Sequence, residues 1–434
     1  MSVRSLIDAA GLRVGDAVKA APVASRLAGE GAWLAAGQLV SAMALLVGMR
    51  LLTEYVPPET FGVVSLVLGI MTLGSNFLCY PILQATLRFY PDHASNAGHL
   101  RATVENILFK STAVLAAFIL LAGIACTLLQ RTALTPFIIV AALVVVETFK
   151  SLEFNFLSAA RRQRSFALYT AADGILRPGL AVLAVIVLGS SAEAVLAGFL
   201  AAAILLLLPM RLFKVSASST DKAALENIEL RRELWKYAMP LAPLAFIGWV
   251  SSLSDRYIIG GILGAEQVGI YAAAYGIGSR VVSFIPGVLS STLRPVYFEA
   301  VSSKNSYLAR KSLQTWALTV GVSCAFVCIT VYVLRREIAS LLLAQNYGNA
   351  ADLLPWIGVG YSLSMLSHVF GASVYASKRT QWLLVIHGCG ALASVVFGVL
   401  FICAFGVPGA AAAVPVYFGI ELIVSIMAFR KCSS

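Results

Sequence analysis

Long apolar segments constrain this chain more than any other feature. Twelve mostly apolar stretches follow one another along the sequence, each close to the roughly 20 residues that a helix needs to cross a bilayer. Charged residues make up only 12% of the 434 residues, against about 25% in soluble proteins. A mean hydropathy of +0.86 agrees with this. The sequence therefore predicts an all-α integral membrane protein.

The predicted spans fall into two groups of six. The first group covers residues 33–53, 60–83, 107–129, 136–157, 166–188 and 193–210, and the second covers 240–263, 268–289, 313–334, 353–375, 382–405 and 409–429. The predicted divisions are an N-terminal segment at 1–30, an N-lobe at 31–212, a polar cytoplasmic linker at 213–234 and a C-lobe at 235–434. Residues 337–347 are too short and too polar to cross, so we expect a helix lying in the membrane interface.

Residues 1–30 are not expected to be a secretory signal, because charged residues interrupt every apolar run. Leu6, Ile7, Val14 and Val18 would give this segment an apolar face, which favours an amphipathic helix at the membrane interface. The alternative is a disordered cytoplasmic tail.

Lysine and arginine residues indicate the orientation. With the N-terminus in the cytoplasm, 24 of the 32 basic residues lie on the inner side, four on the outer side and four within spans. Such an excess marks the cytoplasmic face, and an even number of spans returns the C-terminus to that face. The net charge of +11 is thus assigned to topology and to contacts with anionic lipids, and nucleic acid is not an expected partner.

An internal repeat relates the two groups of spans. At an offset of 206–207 residues Arg50 aligns with Arg256, residues 61–63 (Phe-Gly-Val) with 268–270 (Val-Gly-Ile), and 86–88 with 292–294 (both Thr-Leu-Arg). The six-span unit repeats with the same orientation. Two lobes related by a pseudo-twofold axis along the membrane normal are therefore expected, with a central site at their interface.

Four charged residues mark this predicted central site. Arg50 and Arg256 lie in the first span of each lobe, Asp255 precedes Arg256, and Arg280 lies midway along the eighth span. Charges at membrane depth normally face a protein interior or a water-filled cavity, and guanidinium groups bind phosphate through paired hydrogen bonds. A cationic cavity of Arg50, Arg256 and Arg280 for an anionic headgroup is therefore predicted. The alternatives are that Arg50 snorkels to the outer headgroups and that Asp255 only neutralises Arg256 rather than taking part in ion coupling.

Further charges lie in the N-lobe spans. Glu147, Lys150 and Glu153 follow one another at three-residue spacing, and Asp173 and Arg177 are four residues apart. Because such spacings place side chains on one helix face, an ion-pair network between the fourth and fifth spans is predicted, with an ion-coupling site as the alternative.

Two arginines occupy equivalent places at the predicted inner ends of the second and eighth spans. Arg88 and Arg294 are candidates for guiding an anionic headgroup into the central site. Positive-inside anchoring of the helix ends is the alternative.

No enzymatic motif is present in the sequence. A phosphate-binding G-x-x-x-x-G-K-[ST] loop is absent, and the predicted outer loops are too short for a catalytic domain. We therefore expect neither enzymatic activity nor a bound metal or cofactor.

Several short motifs carry a resemblance to a known family. They are Arg50-Leu-Leu-Thr with Pro57-Pro58-Glu59-Thr60-Phe61-Gly62, Gln84-Ala-Thr-Leu-Arg88-Phe89-Tyr90, Ala160-Arg-Arg-Gln163, Asp255-Arg256-Tyr257-Ile258-Ile259 with Gly269-Ile-Tyr271, and Leu343, Tyr347 and Leu354-Pro355. Through them residues 30–430 resemble the polysaccharide-transport (Wzx-type) flippases of the MOP (multidrug/oligosaccharidyl-lipid/polysaccharide) superfamily, which also contains multidrug extruders and lipid II flippases.

The resemblance implies two six-helix lobes forming a V, alternating access, and export of undecaprenyl-diphosphate-linked oligosaccharide from the cytoplasmic to the periplasmic leaflet of a bacterial inner membrane. Arg50, Arg256 and Arg280 lie on helices that carry cavity cations in that family. The product would serve O-antigen, capsule or exopolysaccharide assembly, with a polymerase or co-polymerase as a further partner of a monomeric flippase. The alternatives are a cation-coupled drug antiporter led by Glu147 and Asp173, and a non-transporting scaffold of a polysaccharide synthase complex.

Overall fold

The computed structural model describes residues 14–130, 133–212, 228–303, 305–377, 379 and 381–433. Residues 1–13 of the predicted N-terminal segment and 213–227 of the predicted linker lie outside the described residues. From Val14 onward the N-terminal segment is helical and continuous with the first predicted span. The boundaries proposed for the lobes and the linker stay predictions.

Fourteen α-helices occur within the described residues. In the first half they are α1 (Val14–Tyr55), α2 (Pro58–Leu78), α3 (Tyr80–Phe89), α4 (Ala97–Gln130), α5 (Thr135–Ala159), α6 (Gln163–Leu188) and α7 (Ala192–Leu212). In the second half they are α8 (Ile228–Ala238), α9 (Leu241–Leu263), α10 (Ala265–Ser302), α11 (Ser306–Val333), α12 (Arg335–Leu342), α13 (Leu354–Ala376) and α14 (Gln381–Ser433).

Ten helical stretches among the described residues are long and apolar enough to cross a membrane. Helix α5, which carries Glu147, Lys150 and Glu153, is not among them. Helix α14 contains the last two predicted spans, which are separated at Gly406, where φ is 65°. A positive φ is readily adopted by glycine and breaks the helical path. The predicted all-α membrane architecture is confirmed.

The second predicted span is not one continuous helix, which corrects the sequence prediction. Helix α2 ends at Leu78, and α3 begins at Tyr80 after Cys79, whose φ and ψ are −108° and −42°. Pro81, in the first turn of α3, has no backbone N–H to continue the hydrogen-bond ladder of the preceding helix. The chain therefore bends at this point and turns the side chains of α3 relative to those of α2.

The two halves meet most closely where α2 crosses α10, near the predicted outer ends of both helices. A side-chain carbon on Gly62 would overlap the carbonyl oxygen of Ala265, and one on Gly269 would overlap the carbonyl oxygen of Pro58. Gly269 lies 207 residues after Gly62, and Ala265 lies 207 residues after Pro58. The contact is therefore reciprocal across the predicted pseudo-twofold axis, and only glycine at both positions allows it.

The segment after α12 was predicted to lie in the membrane interface, but part of it is buried between the halves. Residues of this segment that follow Leu342 turn inward, and Leu343, Ala344 and Tyr347 are buried. The Tyr347 hydroxyl donates to the carbonyl oxygen of Val56 at 2.9 Å, and its ring meets Phe61 edge-on. The segment therefore packs between the two halves and closes the predicted outer side instead of lying in the membrane interface.

Helix α8 connects the halves on the predicted inner side. Its buried residues Leu230, Leu234 and Ala238 join a core made with α3, α4 and α5 of the first half. Tyr237 meets Phe89 edge-on at a centroid distance of 5.9 Å. The start of the second half is therefore anchored on the first.

Candidate functional site

A cleft between the two halves contains two adjoining cavities. The chamber nearer the predicted outer side, here called the outer chamber, has a volume of about 420 Å³ and is lined by α1, α2, α6, α7, α9 and α10. The inner chamber, of about 820 Å³, is lined by α2, α3, α8, α9 and α10. Residues lining both chambers are Thr72, Leu253, Arg256, Gly276 and Arg280. Two of the predicted cavity arginines therefore stand where the chambers join.

Arg256 reaches from α9 into this junction. Its Nη1 donates to the Ser65 hydroxyl on α2 at 3.0 Å, and its guanidinium lies 5.5 Å from the ring centroid of Tyr275. Its Nε is buried without a hydrogen-bond partner, although a buried donor normally has one. No carboxylate forms an ion pair with Arg256 among the described residues, so its charge is available to a ligand.

Arg280 and Arg177 face the same space from α10 and α6. Arg280 is exposed to the cleft, and its Nη1 donates to the Gly276 carbonyl oxygen one turn earlier at 2.9 Å. Arg177 lines the outer chamber. Its guanidinium carbon lies 4.9 Å from the ring centroid of Phe199, and its Nη1 lies 3.6 Å from Oε1 of Glu147. Three guanidinium groups from both halves thus converge on one cleft.

Asp255 is held by hydrogen bonds rather than by a direct ion pair among the described residues. Its carboxylate accepts hydrogen bonds from the Tyr271 hydroxyl and from the backbone N–H of Arg256. It is 5% exposed and lines neither chamber. Within the part of the chain that is described, no direct ion pair joins it to Arg256, and its roles in neutralisation and in ion coupling stay predictions.

Arg50 lies away from the cleft, which corrects the predicted three-arginine cavity. One guanidinium nitrogen donates to the Leu343 carbonyl oxygen across the outer closure, and the other pairs with Glu54 at 3.1 Å. Next to it, the Thr53 hydroxyl accepts from the Ala344 N–H at 3.1 Å. Arg50 lies near the predicted outer end of α1 and lines neither chamber, although Met49 and Leu52 of the same helix line the outer chamber. The third cleft arginine is instead Arg177.

The predicted N-lobe network divides into two clusters. In the first, Lys150 contacts Glu147 at 2.9 Å and Asp173 at 2.8 Å, and Arg177 completes it. This cluster joins α5 to α6, and Asp173 is the acidic residue among those lining the outer chamber. Its carboxylate is therefore already paired with an ammonium group.

Glu153 belongs to the second cluster, which the sequence reasoning missed. It pairs with the buried Arg101 and, at 3.0 Å, with Arg211, while Glu105 bridges the same two arginines at 3.0 and 2.8 Å. These residues come from α4, α5 and α7. The four-residue spacing of Arg101 and Glu105 was the available signal, but both lie before the predicted start of the third span.

Arg88 and Arg294 are exposed and lie near the predicted inner ends of the second and eighth spans. Arg88 pairs with Asp92 at 2.9 Å. Arg294 lies over the rings of Phe298 and Tyr375 at 5.5 and 5.8 Å. Neither lines the two chambers, and their part in headgroup guidance stays a prediction.

The fold and the cleft define a two-lobed membrane transporter. The lipid II flippase MurJ in an inward closed conformation is similar over 92% of this chain and 89% of its own, with a TM-score of 0.69 at 12% identity. An inward-facing multidrug resistance MATE family transporter of the MOP superfamily matches 91% and 93% of the two chains, with a TM-score of 0.69 at 13% identity. An outward-facing transporter of that kind gives 0.64 at 12% identity over 92% and 93%. At such identities these likenesses establish the fold.

The family itself is established by sequence. The family model for polysaccharide biosynthesis proteins matches residues 27–301, and the MatE model matches residues 240–400. No curated protein matches the sequence significantly. The chain belongs to the polysaccharide biosynthesis protein family, within the MOP superfamily of membrane transporters, as the sequence motifs predicted.

Proposed function

We propose that this protein flips an undecaprenyl-diphosphate-linked oligosaccharide from the cytoplasmic to the periplasmic leaflet of a bacterial inner membrane. The observation that carries the proposal is the convergence of Arg177, Arg256 and Arg280 on one cleft between the halves. Arg256 and Arg280 have no carboxylate partner among the described residues, and the buried Nε of Arg256 has no acceptor. A diphosphate supplies such acceptors in the geometry that guanidinium groups bind best.

A bound diphosphate would compensate the charge of the cleft arginines. Separate cations in a low-dielectric cleft repel each other and lose hydration, whereas a bound diphosphate offsets both costs. The polyprenyl chain is hydrophobic and would stay in the bilayer beside the cleft. The contacts that close the predicted outer side would then break as the predicted inner side closes, which carries the headgroup across while the tail follows in lipid.

Transport in proteoliposomes tests the proposal. The substrate is a fluorescent undecaprenyl diphosphate bearing an oligosaccharide, and its arrival in the opposite leaflet is read by a quencher added outside. We expect Arg256→Ala and Arg280→Ala to abolish most of the flipping, and Arg310→Ala, an exposed arginine on α11, to leave it unchanged. Full activity in both cleft variants would refute the proposal. Flipping by the purified wild type would also exclude a purely scaffolding role.

A drug antiporter is the second candidate, because the MatE model matches residues 240–400. Such a function would require cavity acids able to bind a cation. Here Asp173 and Glu147 are paired with Lys150, and the free cleft charges are positive. We therefore expect no protection of cells against cationic drugs on overexpression. Resistance that depends on Asp173 would favour the antiporter instead.

The proposed setting follows from the charge distribution and the family. The N-lobe would comprise residues 31–212 and the C-lobe residues 235–434, with both termini in the cytoplasm, anionic lipids around the bundle and a monomer as the working unit. The glycan would feed a polymerase or co-polymerase that builds O-antigen, capsule or exopolysaccharide. Labelling of single cysteines at either end of α1 in intact cells would test the orientation.

A further inference from the structure

The inner chamber has two walls of different chemistry. One wall is the α2–α3 segment, from which Thr72, Asn76, Tyr80 and Gln84 point into the chamber at regular four-residue spacing. The side chains of Asn76, Tyr80 and Gln84 have no hydrogen-bond partner among the described residues. Amide and phenol groups can both donate and accept. This wall therefore presents a row of unoccupied hydrogen-bonding groups.

A second wall, on α9, carries apolar and aromatic side chains. It includes Leu241, Leu244 and Trp249. The Trp249 Nε1 donates to the Gly69 carbonyl oxygen at 2.8 Å, and the indole lies against Tyr257 at a centroid distance of 5.2 Å. The indole is thus held in a fixed position at the edge of the chamber. Nothing lies within 4 Å of a side-chain carbon built on Gly248, so the space beside it is open.

We propose that the inner chamber is the glycan subsite, a proposal that rests on the proposed function. A sugar ring carries hydroxyl groups around its rim and a patch of C–H bonds on its face. Asn76, Tyr80 and Gln84 can bind the hydroxyl groups, and the α9 wall can cover the apolar face. Pockets of this kind combine apolar lining with a few placed polar groups that fix orientation.

The position of the arginines supports this assignment. Arg256 and Arg280 line both chambers, so a diphosphate held by them stands at the junction. The first sugar is bonded directly to that diphosphate and must lie within a few ångströms of it. Of the two chambers, the inner one has about twice the volume and carries the free amides. In the outer chamber the acidic lining residue, Asp173, is already paired with Lys150, and the Ser65 hydroxyl already accepts from Arg256.

Gly248 offers a test that separates the glycan from the diphosphate. Gly248→Leu adds a side chain to the open space of the inner chamber without touching a neighbouring atom at its Cβ. Gly261→Leu makes the same change in the same helix, at an exposed position that lines neither chamber and also has nothing within 4 Å. Binding is measured in nanodiscs with two probes, undecaprenyl diphosphate and undecaprenyl diphosphate bearing N-acetylglucosamine.

We expect Gly248→Leu to weaken the binding of the sugar-bearing probe at least tenfold and to change the affinity for the sugar-free probe by no more than twofold. The control Gly261→Leu should bind both probes with the affinity of the wild type. Asn76→Leu and Gln84→Leu should each reduce the preference for the sugar-bearing probe about tenfold or more, because a sugar hydroxyl then loses its partner. Equal effects of Gly248→Leu on both probes, or none on either, would overturn the subsite. A wild type that binds neither probe would instead overturn the proposed function on which the subsite rests.

Discussion

Alanine at Gly62 should open the predicted outer side of the transporter. The added carbon would stand 2.8 Å from the carbonyl carbon of Ala265 and 2.9 Å from the nitrogen of Gly269, and it would overlap the Ala265 carbonyl oxygen. Ordinary contact begins near 3.4 Å, so the carbonyl carbon alone requires the two backbones to separate by about 0.6 Å, and the nearer carbonyl oxygen requires more. Since the neighbours are backbone atoms, no side chain can move aside to absorb the change.

The expected energy follows from the cost of overpacking. Inserting a methyl group into a tight contact costs about 1–3 kcal/mol. Because the contact exists only while the outer side is closed, this cost falls on the closed conformation and shifts the conformational equilibrium roughly 5- to 150-fold towards opening. Gly269→Ala should have a similar effect. The double variant should shift the conformational equilibrium by less than the sum of the two single free-energy changes, because both substitutions act at the same helix crossing.

Spin labels at residues 59 and 266 can measure this shift. Glu59 and Glu266 are exposed, occupy the first turns of α2 and α10, and are related by the same 207-residue offset. Electron–electron distance measurements in nanodiscs should show a longer-distance population growing in Gly62→Ala. Gly261→Ala, with open space around it, should match the parent. An unchanged distance distribution in both Gly62→Ala and Gly269→Ala would refute the argument.

Two further predictions concern charged side chains. Arg50→Ala should also favour opening of the predicted outer side, because it removes the hydrogen bond to the Leu343 carbonyl oxygen. The affinity for undecaprenyl diphosphate should stay within twofold of the wild type. A loss of affinity as large as that of Arg256→Ala would instead place Arg50 in the headgroup site. Arg101→Met should lower the free energy of unfolding by about 3 kcal/mol, the low end for breaking a buried pair, because Arg211 still faces Glu153. The exposed Arg88→Met should cost about 1 kcal/mol or less, and equal losses of stability in the two variants would contradict this assignment.

The sequence was sufficient for the architecture, because hydropathy and charge bias act over whole helices. Most of the spans, the repeat offset and the family could be recognised without coordinates. The helix break at Cys79 was not predicted, although Pro81 lies beside it, because the apolar run continues through both helices. Likewise α12 was expected, but the burial of Tyr347 depends on a partner almost 300 residues away.

The candidate site was predicted only in part. Arg256 and Arg280 line the cleft as expected. Arg50 occupies the equivalent place in the repeat but does not face the cleft, because the residues around it differ from those around Arg256. Arg177 was assigned to an ion-pair network, since helical spacing reports which residues share a face and not what that face meets. The four-residue spacing from Thr72 to Gln84 was visible in the sequence, but only the structure places these residues in the lining of the inner chamber beside α9.

The binding of undecaprenyl diphosphate tests the central claim most directly. Dissociation constants would be measured for the wild type, Arg256→Ala, Arg280→Ala, the double variant and the surface control Arg310→Ala in nanodiscs of zwitterionic lipid. Each charge-assisted hydrogen bond contributes about 1.5–3 kcal/mol, so each single cleft variant should bind roughly 10- to 100-fold more weakly, with the control unchanged. A double variant that binds as tightly as the wild type would contradict the account.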